Sequence, residues 1–539
     1  MPARPPRAIT ILAVAALVAG PPLNYLRYHH YPLLAPEVLL PAGIWLLCSV
    51  GIGSALNRAP RPVRLVAFTM LLLLFADWQF NWHHALVLVL ALLAIAVGVW
   101  VLERHLETIL ALVLAAFYLA ALPSTSRTRV SSTQFANIAP DTLLPPVVYL
   151  ILDEHIGIEG WPTEFSVTRE TEQRVRAFYL HEGFRLFGKA YSEFVNTDAS
   201  IPAVLNWPVE EPHGITAELV PLHRYRPLSN ELFRKLSAEG YRIRVYESTY
   251  MEFCDPRAYT VQSCEIQPAN SIRNLSLHDD LSLWRRALLV GLYFLEAKSQ
   301  IYTHLRDAYS VFAASRPSWP RWSARVNHSE FPAAMKLLDR LRQDIRTDDP
   351  RGTLYFAHLL APHNPYEMDA NCRSQTHPDL WLEIAEHNNE AERALRYGLY
   401  AAQVSCLYRH LESLFHTIDS LPTARRMIVV VHGDHGSRIV YNYPSARSVP
   451  ILRPSDFTDG FSALFAIRAP GIPAGYDRRF VPINELVGRA LASQFASIEV
   501  PTPERHVLRI EDGFHSPFRT VDLTDTALVP TRPGDGSPR

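Results

Sequence analysis

Six residues of this chain have the types and settings to do chemistry together: Asp153, Thr197, His358, His363, Asp434 and His435. Asp434 and His435 follow an apolar run in the stretch M-I-V-V-V-H-G-D-H-G-S-R (427–438), with Gly433 and Gly436 on either side. Glycines let a backbone turn tightly there, and a carboxylate beside an imidazole suits a hard or borderline divalent cation. Asp153 and Glu154 close a second apolar run, V-V-Y-L-I-L (147–152). His358 lies within a third, T-L-Y-F-A-H-L-L (353–360), which leads through Ala361 and Pro362 to His363, Asn364, Pro365 and Tyr366. Thr197 stands in F-V-N-T-D-A-S-I-P-A-V-L-N-W (194–207), ahead of a short helix expected near Ser200 whose N–H groups can hold an anionic ester. A threonine hydroxyl is a weak nucleophile, and a neighbouring cation lowers its pKa enough for attack on sulfur or phosphorus. One D-H-G taken alone is better read as a polar turn after a core strand. Three apolar strands with such endings meet at one edge of a parallel sheet, and that favours a metal site.

The elements that must carry these residues alternate. Helices are expected at 167–181, 228–239, 331–345 and 383–418, and strands at 184–191, 241–247 and 461–468, besides the three apolar runs. This alternation predicts a mostly parallel sheet flanked by helices. Residues 281–305 form a largely apolar helix whose place is either over the core or along a membrane surface.

Ahead of that domain lie five strongly apolar stretches, 9–25, 31–56, 65–80, 85–102 and 106–122, read as a five-span helical membrane domain. Arg4 and Arg7, then Arg58, Arg61 and Arg64, mark two segments on the cytoplasmic side, while the loops near 27–31 and 77–84 are aromatic and poor in arginine. Five spans place everything after residue 124 in the periplasm or outside the cell. Four cysteines in that part, Cys254, Cys264, Cys372 and Cys406, agree with an oxidising compartment, with Cys254–Cys264 the closer local pair. The spans carry no ionisable residue at mid-membrane, which argues against a transporter and for an anchor that holds a lipid substrate. A net charge of −1 over 539 residues leaves no electrostatic footprint for nucleic acid. The expected organisation is a membrane domain at 1–123, a linker at 124–146, a catalytic domain at 147–510 and a disordered tail at 511–539.

Taken in order, these motifs resemble the sulfatase-like branch of the alkaline phosphatase superfamily, which includes phosphoethanolamine transferases and lipoteichoic acid synthases. The resemblance spans roughly 147–471. It rests on the strand ending in Asp153, on T-x-x-S-x-P at Thr197, Ser200 and Pro202, and on H-x-x-x-P-H-x-P from His358 to Pro365. G-D-H-G at Gly433 to Gly436 and the late strand closed by Pro470-Gly471 complete it. Five spans ahead of such a domain are also similar to the transferase and synthase architecture.

The resemblance implies that Thr197 is the nucleophile and that Asp153, Thr197, Asp434 and His435 hold a divalent metal. Oxygen ligands with one imidazole suit Zn²⁺ or Mn²⁺, with Ca²⁺ as the alternative. It also implies that His363 and His358 sit near the substrate's anionic group. Arg438 is either a clamp on a sulfate or phosphate oxygen or a surface turn residue, and Glu154 either a further ligand or a solvent-facing acid. Soluble sulfatases mature a Cys or Ser in C/S-x-P-x-R; here Val204 follows Ser200-Ile201-Pro202-Ala203, so an unmodified Thr197 is implied. The transferases carry a further histidine about a dozen residues past D-H-G, where this chain has Arg447 and Ser448, so one metal position is expected. The implied activity is cleavage or transfer of a sulfate or phosphate ester on an envelope lipid or glycan. The alternatives are a phosphoethanolamine- or phosphoglycerol-type transferase, or an inactive sulfatase-like binding module.

Overall fold

The computed structural model describes residues 6–80, 85–121, 133–134, 143–207, 217–220, 224–254, 259, 261–269, 271–314, 329–376, 381–382, 385, 387–499, 505–512, 517–524 and 527–530. Most of the expected linker at 124–146 and the chain end at 531–539 lie outside them. The chain divides into two compact units, one of Met1–Arg129, Asn270–Ser329 and Thr376–Trp381, the other of Val130–Ala269, Glu330–Gln375 and Leu382–Arg539.

The first unit is helical. Each of the five apolar stretches is helix, but the first is broken into Arg7–Val18 and Gly20–Tyr28, which meet at 43° where Pro21 and Pro22 enter the second helix. Ala85–Leu102 and Leu106–Ala121 are separated by Glu103, Arg104 and His105, and the chain turns by 113° there. Two described helices, Pro36–Arg58 and Arg61–Phe80, are each long and apolar enough to cross a membrane, and up to four spans result if each bent pair counts as one. The expected five are not reached on that count, because the prolines at 21 and 22 and the polar break at 103–105 divide the apolar sequence into shorter helices. Ion pairs tie one end of the bundle: Arg61 to Glu103 at 2.7 Å, and Arg64 to Glu107, which also accepts from Thr10. The helix Leu283–Lys298, for which both a core and a membrane-surface position were open, packs in this unit against Gly20–Tyr28, Pro36–Arg58 and Arg61–Phe80.

The second unit is built on a sheet. In chain order the strands are β1 (Thr133–Gln134), β2 (Val147–Leu152), β3 (Arg185–Tyr191), β4 (Ala217–Leu219), β5 (Tyr225–Pro227), β6 (Arg242–Ser248), β7 (Val261–Gln267), β8 (Thr353–Leu359), β9 (Ile428–Gly433), β10 (Phe465–Arg468), β11 (Gly475–Pro482), β12 (Val507–Ile510), β13 (Arg519–Thr524) and β14 (Ala527–Pro530). The large sheet runs β1-β7-β6-β8-β2-β9-β10-β3-β11, and every strand in it except β1 and β10 points the same way. This is the mostly parallel sheet with flanking helices that the alternation predicts. Strand β2 explains the continuous apolar run: Val148, Leu150 and Leu152 enter the core on one face, and Val147, Tyr149 and Ile151 the core on the other. Burying each such side chain contributes about 1.5–3 kcal/mol.

Cysteines Cys254 and Cys264 are joined, as the local pairing predicts, and so are Cys372 and Cys406. Where a disordered tail is expected, β13 pairs with β12 and β14, and Leu508, Ile510, Val521 and Leu523 share a small core with Phe457 and Phe461. Thr520, Asp522 and Thr524 alternate with Val521 and Leu523 at the period of a strand, a pattern that composition alone conceals.

Candidate metal centre

Strands β8, β2 and β9 are neighbours in the middle of the sheet, with Leu152 in register with Leu359 on one side and Gly433 on the other. Their carboxyl ends therefore bring His358, Asp153 and Asp434 side by side, as the edge rule for parallel sheets requires. His435 follows directly, its Nε2 atom 3.1 Å from Asp434 Oδ2 and 3.8 Å from Asp153 Oδ1. Thr197 opens the helix Thr197–Leu205, which begins earlier than the expected start near Ser200, and its Oγ1 lies 3.2 Å from His435 Nε2 and 3.5 Å from Asp153 Oδ2. Ser200 donates to the carbonyl of Asp434, which ties the helix opened by Thr197 to the D-H-G turn.

All four residues are buried. Asp153 Oδ1 and Asp434 Oδ2 have no hydrogen-bond partner, while Asp434 Oδ1 accepts from the N–H groups of Glu154 and His435 at 3.0 Å. Burial pushes the Asp434 carboxyl up, and the charge of Asp153 adds to this. At Asp153 burial acts in the same direction but is outweighed by His363, His358 and His435, which hold its carboxyl low. Two orphaned carboxylate oxygens facing one imidazole in a dry site are costly unless a cation neutralises them. Asp153, Asp434 and His435 each offer one ligand atom within 4.8 Å of the others, and such a donor set fits a divalent metal.

Glu154 is drawn elsewhere. Its carboxylate accepts from Asn364 Nδ2 at 3.0 Å and from Arg438 Nε at 2.7 Å. Arg438 is correspondingly turned onto Glu154 and largely buried, which excludes the reading of a surface turn. Both residues have positive φ, 63° and 54°, a conformation that non-glycine residues adopt at a cost. The neighbouring Gly433 and Gly436 do not share it. Their role is close approach: a Cβ would come to 2.3 Å from the carbonyl oxygen of His155 and to 2.2 Å from that of Asp459. His363 sits between acids, with Nε2 3.7 Å from Glu154 and Nδ1 3.6 Å from Glu330. Burial alone pulls its imidazole down, but Glu154, Asp153 and Glu330 outweigh both burial and the nearby Arg438 and raise it to about 9. His358, fully buried, lies 3.4 Å from Asp153 Oδ2 and edge-on to Phe253, so it faces the metal group from within the sheet.

Several contributors have no motif to announce them. Gln403, buried in the middle of the long helix Glu390–Asp419, donates to the carbonyls of His363 and Pro362 and accepts from the N–H groups of Glu367 and Met368. A lone polar residue on an otherwise apolar helix face is the signal that could have found it. Asp459 accepts from Tyr397 at 2.5 Å and from Arg393, and its backbone carbonyl accepts from Arg438 N at 2.8 Å, which braces the turn after His435. The guanidinium of Arg224 stacks over Tyr225 and Tyr250 at 5.2 and 5.7 Å.

No protein-family model matches this chain, and no curated protein matches it. Among solved structures it is similar to the phosphonate monoester hydrolase of Agrobacterium radiobacter, at 12% identity over 68% of this chain and 80% of that one, TM-score 0.40. It is similar to BT1596, a 2-O GAG sulfatase, at 13% identity over 71% and 84% of the two chains, TM-score 0.39. The zinc complex of the periplasmic domain of EcEptC from Escherichia coli shares 13% identity over 73% of this chain and 96% of that domain, TM-score 0.40.

Proposed function

We propose that this protein is a membrane-anchored, metal-dependent enzyme that cleaves or transfers a sulfate or phosphate ester through Thr197, on an envelope lipid or glycan. One observation carries the reading: the Thr197 hydroxyl lies within reach of His435 Nε2 and Asp153 Oδ2, in a buried group where one oxygen of Asp153 and one of Asp434 have no hydrogen-bond partner. A divalent cation held by Asp153, Thr197, Asp434 and His435, Zn²⁺ or Mn²⁺ by donor type with Ca²⁺ as the alternative, supplies charge that lowers the hydroxyl's pKa. Thr197 Oγ1 would give its proton to solvent and form a bond to sulfur or phosphorus as the bond to the leaving oxygen breaks, and that oxygen would take a proton from solvent and leave as an alcohol. His363, whose imidazole Glu154, Asp153 and Glu330 raise, would bring positive charge beside Asp153 that attracts a substrate oxyanion. Water resolves the threonine adduct in a hydrolase, and an acceptor hydroxyl resolves it in a phosphoethanolamine- or phosphoglycerol-type transferase.

A multi-pass place in the cytoplasmic membrane, with the sheet unit on the periplasmic side, is part of this proposal. The ion pairs Arg61–Glu103 and Arg64–Glu107 support it, since they bring the turn at 103–105 to the same arginine-rich end as the turn at 58–61. The test is intact-mass analysis after incubation with sulfate-ester and phosphate-ester donors. An adduct on Thr197 identifies the transferred group by its mass. Unchanged turnover of every donor by Thr197→Ala would end the reading.

A further inference from the structure

The helices Leu283–Lys298 and Gln300–Ala314 belong to the helical unit, yet each turns an apolar stripe outward. On the first, Trp284 and Leu288 lie at i, i+4 on one helix face, 66% and 54% exposed, while Leu295 at the far end of that face packs against the unit's core. On the second, Ile301, Leu305, Ala308 and Phe312 follow the i, i+4, i+7, i+11 spacing of one face, with Leu305 67% exposed. Polar His304 and Asp307 lie on another side of that helix. A soluble helix presents the reverse arrangement, with its polar face outward.

The anchoring of these helices says where the stripes lie. Arg286 reaches Glu37 at 3.7 Å, in the first turn of Pro36–Arg58. Ser299 Oγ donates to Asp77 at 2.7 Å, and the Gln300 N–H donates to the same carboxylate at 3.1 Å. Asp77 lies in the last turn of Arg61–Phe80 and caps the second helix with negative charge at its N-terminus. Lys298 stands over the Tyr25 ring. Glu37, Asp77 and Tyr25 mark the end of the bundle opposite the Arg61–Glu103 and Arg64–Glu107 pairs. Both helices are thus anchored at one polar end of the apolar bundle.

We infer that residues 283–314 form an in-plane, membrane-embedded element whose two apolar stripes lie in the headgroup and upper acyl region of a lipid bilayer. This rests on the reading of the helical unit as a membrane anchor. Aromatic and aliphatic stripes flanked by charge bind bilayer interfaces in this way, at a depth of about 5–10 Å. The partner is the lipid surface itself.

The test uses the full-length chain in lipid nanodiscs, spin-labelled at one cysteine in a Cys48→Ser background. Labels are placed through Trp284→Cys, Leu288→Cys and Leu305→Cys, with His304→Cys as the polar-side control. Leu47→Cys, on a spanning helix at 74% exposure, is the control for the bilayer core. Labels at 284, 288 and 305 are expected to be more accessible to oxygen than to a nickel chelate, at a depth of about 5–10 Å, while 304 favours the chelate. Water-like accessibility at 284, 288 and 305, with Leu47 in the acyl core, overturns the inference alone. Loss of access to both probes at those three positions also overturns it, because another protein surface would then cover the stripes. A water-exposed Leu47 overturns the membrane reading and the inference with it.

Discussion

Thr197 Oγ1 lies 3.2 Å from His435 Nε2, although 238 residues separate the two. Each arrives by a different route: Thr197 opens a helix beyond β3, and His435 follows the carboxyl end of β9. A hydroxyl held this close to an imidazole and a carboxylate is already oriented, and if Thr197 is the nucleophile as proposed, part of the entropic cost of attack is removed.

Replacing that hydroxyl separates chemistry from folding. Thr197→Ala is expected to lower kcat on a sulfate or phosphate monoester by about a thousandfold or more, because the covalent route is lost. Thr197→Ser retains an Oγ and is expected to keep measurable turnover. Steady-state kinetics of the two variants, with melting curves to confirm folding, decide the matter. Equal activity in the Ala variant would remove Thr197 as nucleophile.

Asp434 Oδ2 is a buried carboxylate oxygen without a partner, and the charge of Asp153 is close by. Asp434→Asn keeps the Oδ1 atom that accepts from Glu154 and His435 but removes a negative charge. In chelator the variant is expected to melt at or above the parent's Tm, since the repulsion is gone. Adding Zn²⁺ or Mn²⁺ at about a hundredfold over Kd should stabilise the parent by about 2.7 kcal/mol and leave the variant unmoved. Calorimetry with and without metal reads both effects, and an equal metal-induced shift in the two proteins would rule out Asp434 as a ligand.

Much of this centre was legible because strands β2, β8 and β9 are buried on both faces. Their apolar runs stop where the sheet ends, so the first polar residues mark its edge. Asp153, Asp434 and His435 were visible for that reason, and Thr197 through its place before a helix. Glu154 and Arg438 were ambiguous in sequence, since pairing between residues 284 apart is set by the turn geometry that follows the strands. The glycines around Asp434 were read as turn formers, whereas close backbone approach is what they provide. Gln403 and Glu330 carry no motif, because support from behind a loop depends on packing rather than spacing. In the helical unit hydropathy located every apolar stretch but not the breaks at Pro21 and at Glu103, which redistribute it among shorter helices.

His363 links the site to pH. Its imidazole is raised to about 9 against burial by the charges of Glu154, Asp153 and Glu330. A histidine raised in the folded state adds stability that is fully present below pH 6.5 and is lost as pH rises through about 9. The contribution is on the order of 3 kcal/mol. The difference in unfolding free energy between the parent and His363→Gln should therefore shrink between pH 6 and pH 9.5. Glu330→Gln removes one of the acids, so the His363 titration seen by NMR should move down from about 9 without loss of the fold. A titration that stays in place would exclude Glu330 as its partner.

Gln403 holds the loop that carries His363. Its amide donates to His363 O at 2.9 Å and Pro362 O at 3.2 Å, and its oxygen accepts from Glu367 N at 2.8 Å and Met368 N at 3.2 Å. Gln403→Leu fills much of the same space but leaves those buried backbone groups unpaired, at about 1–3 kcal/mol for each group left unsatisfied. Part of that is recovered where the loop relaxes toward water, and relaxation displaces His363. If His363 attracts the substrate oxyanion as proposed, the expected result is a lower Tm together with a rise in KM for an anionic ester that exceeds the fall in kcat, because Thr197, Asp153, Asp434 and His435 stay in place. Gln403→Glu keeps the acceptor for Glu367 N and Met368 N but turns a buried carboxyl oxygen toward the carbonyls of His363 and Pro362, and should displace the loop at least as much as the Leu variant. If KM were unchanged in both variants while Tm dropped, Gln403 would be a stabilising residue with no part in positioning His363.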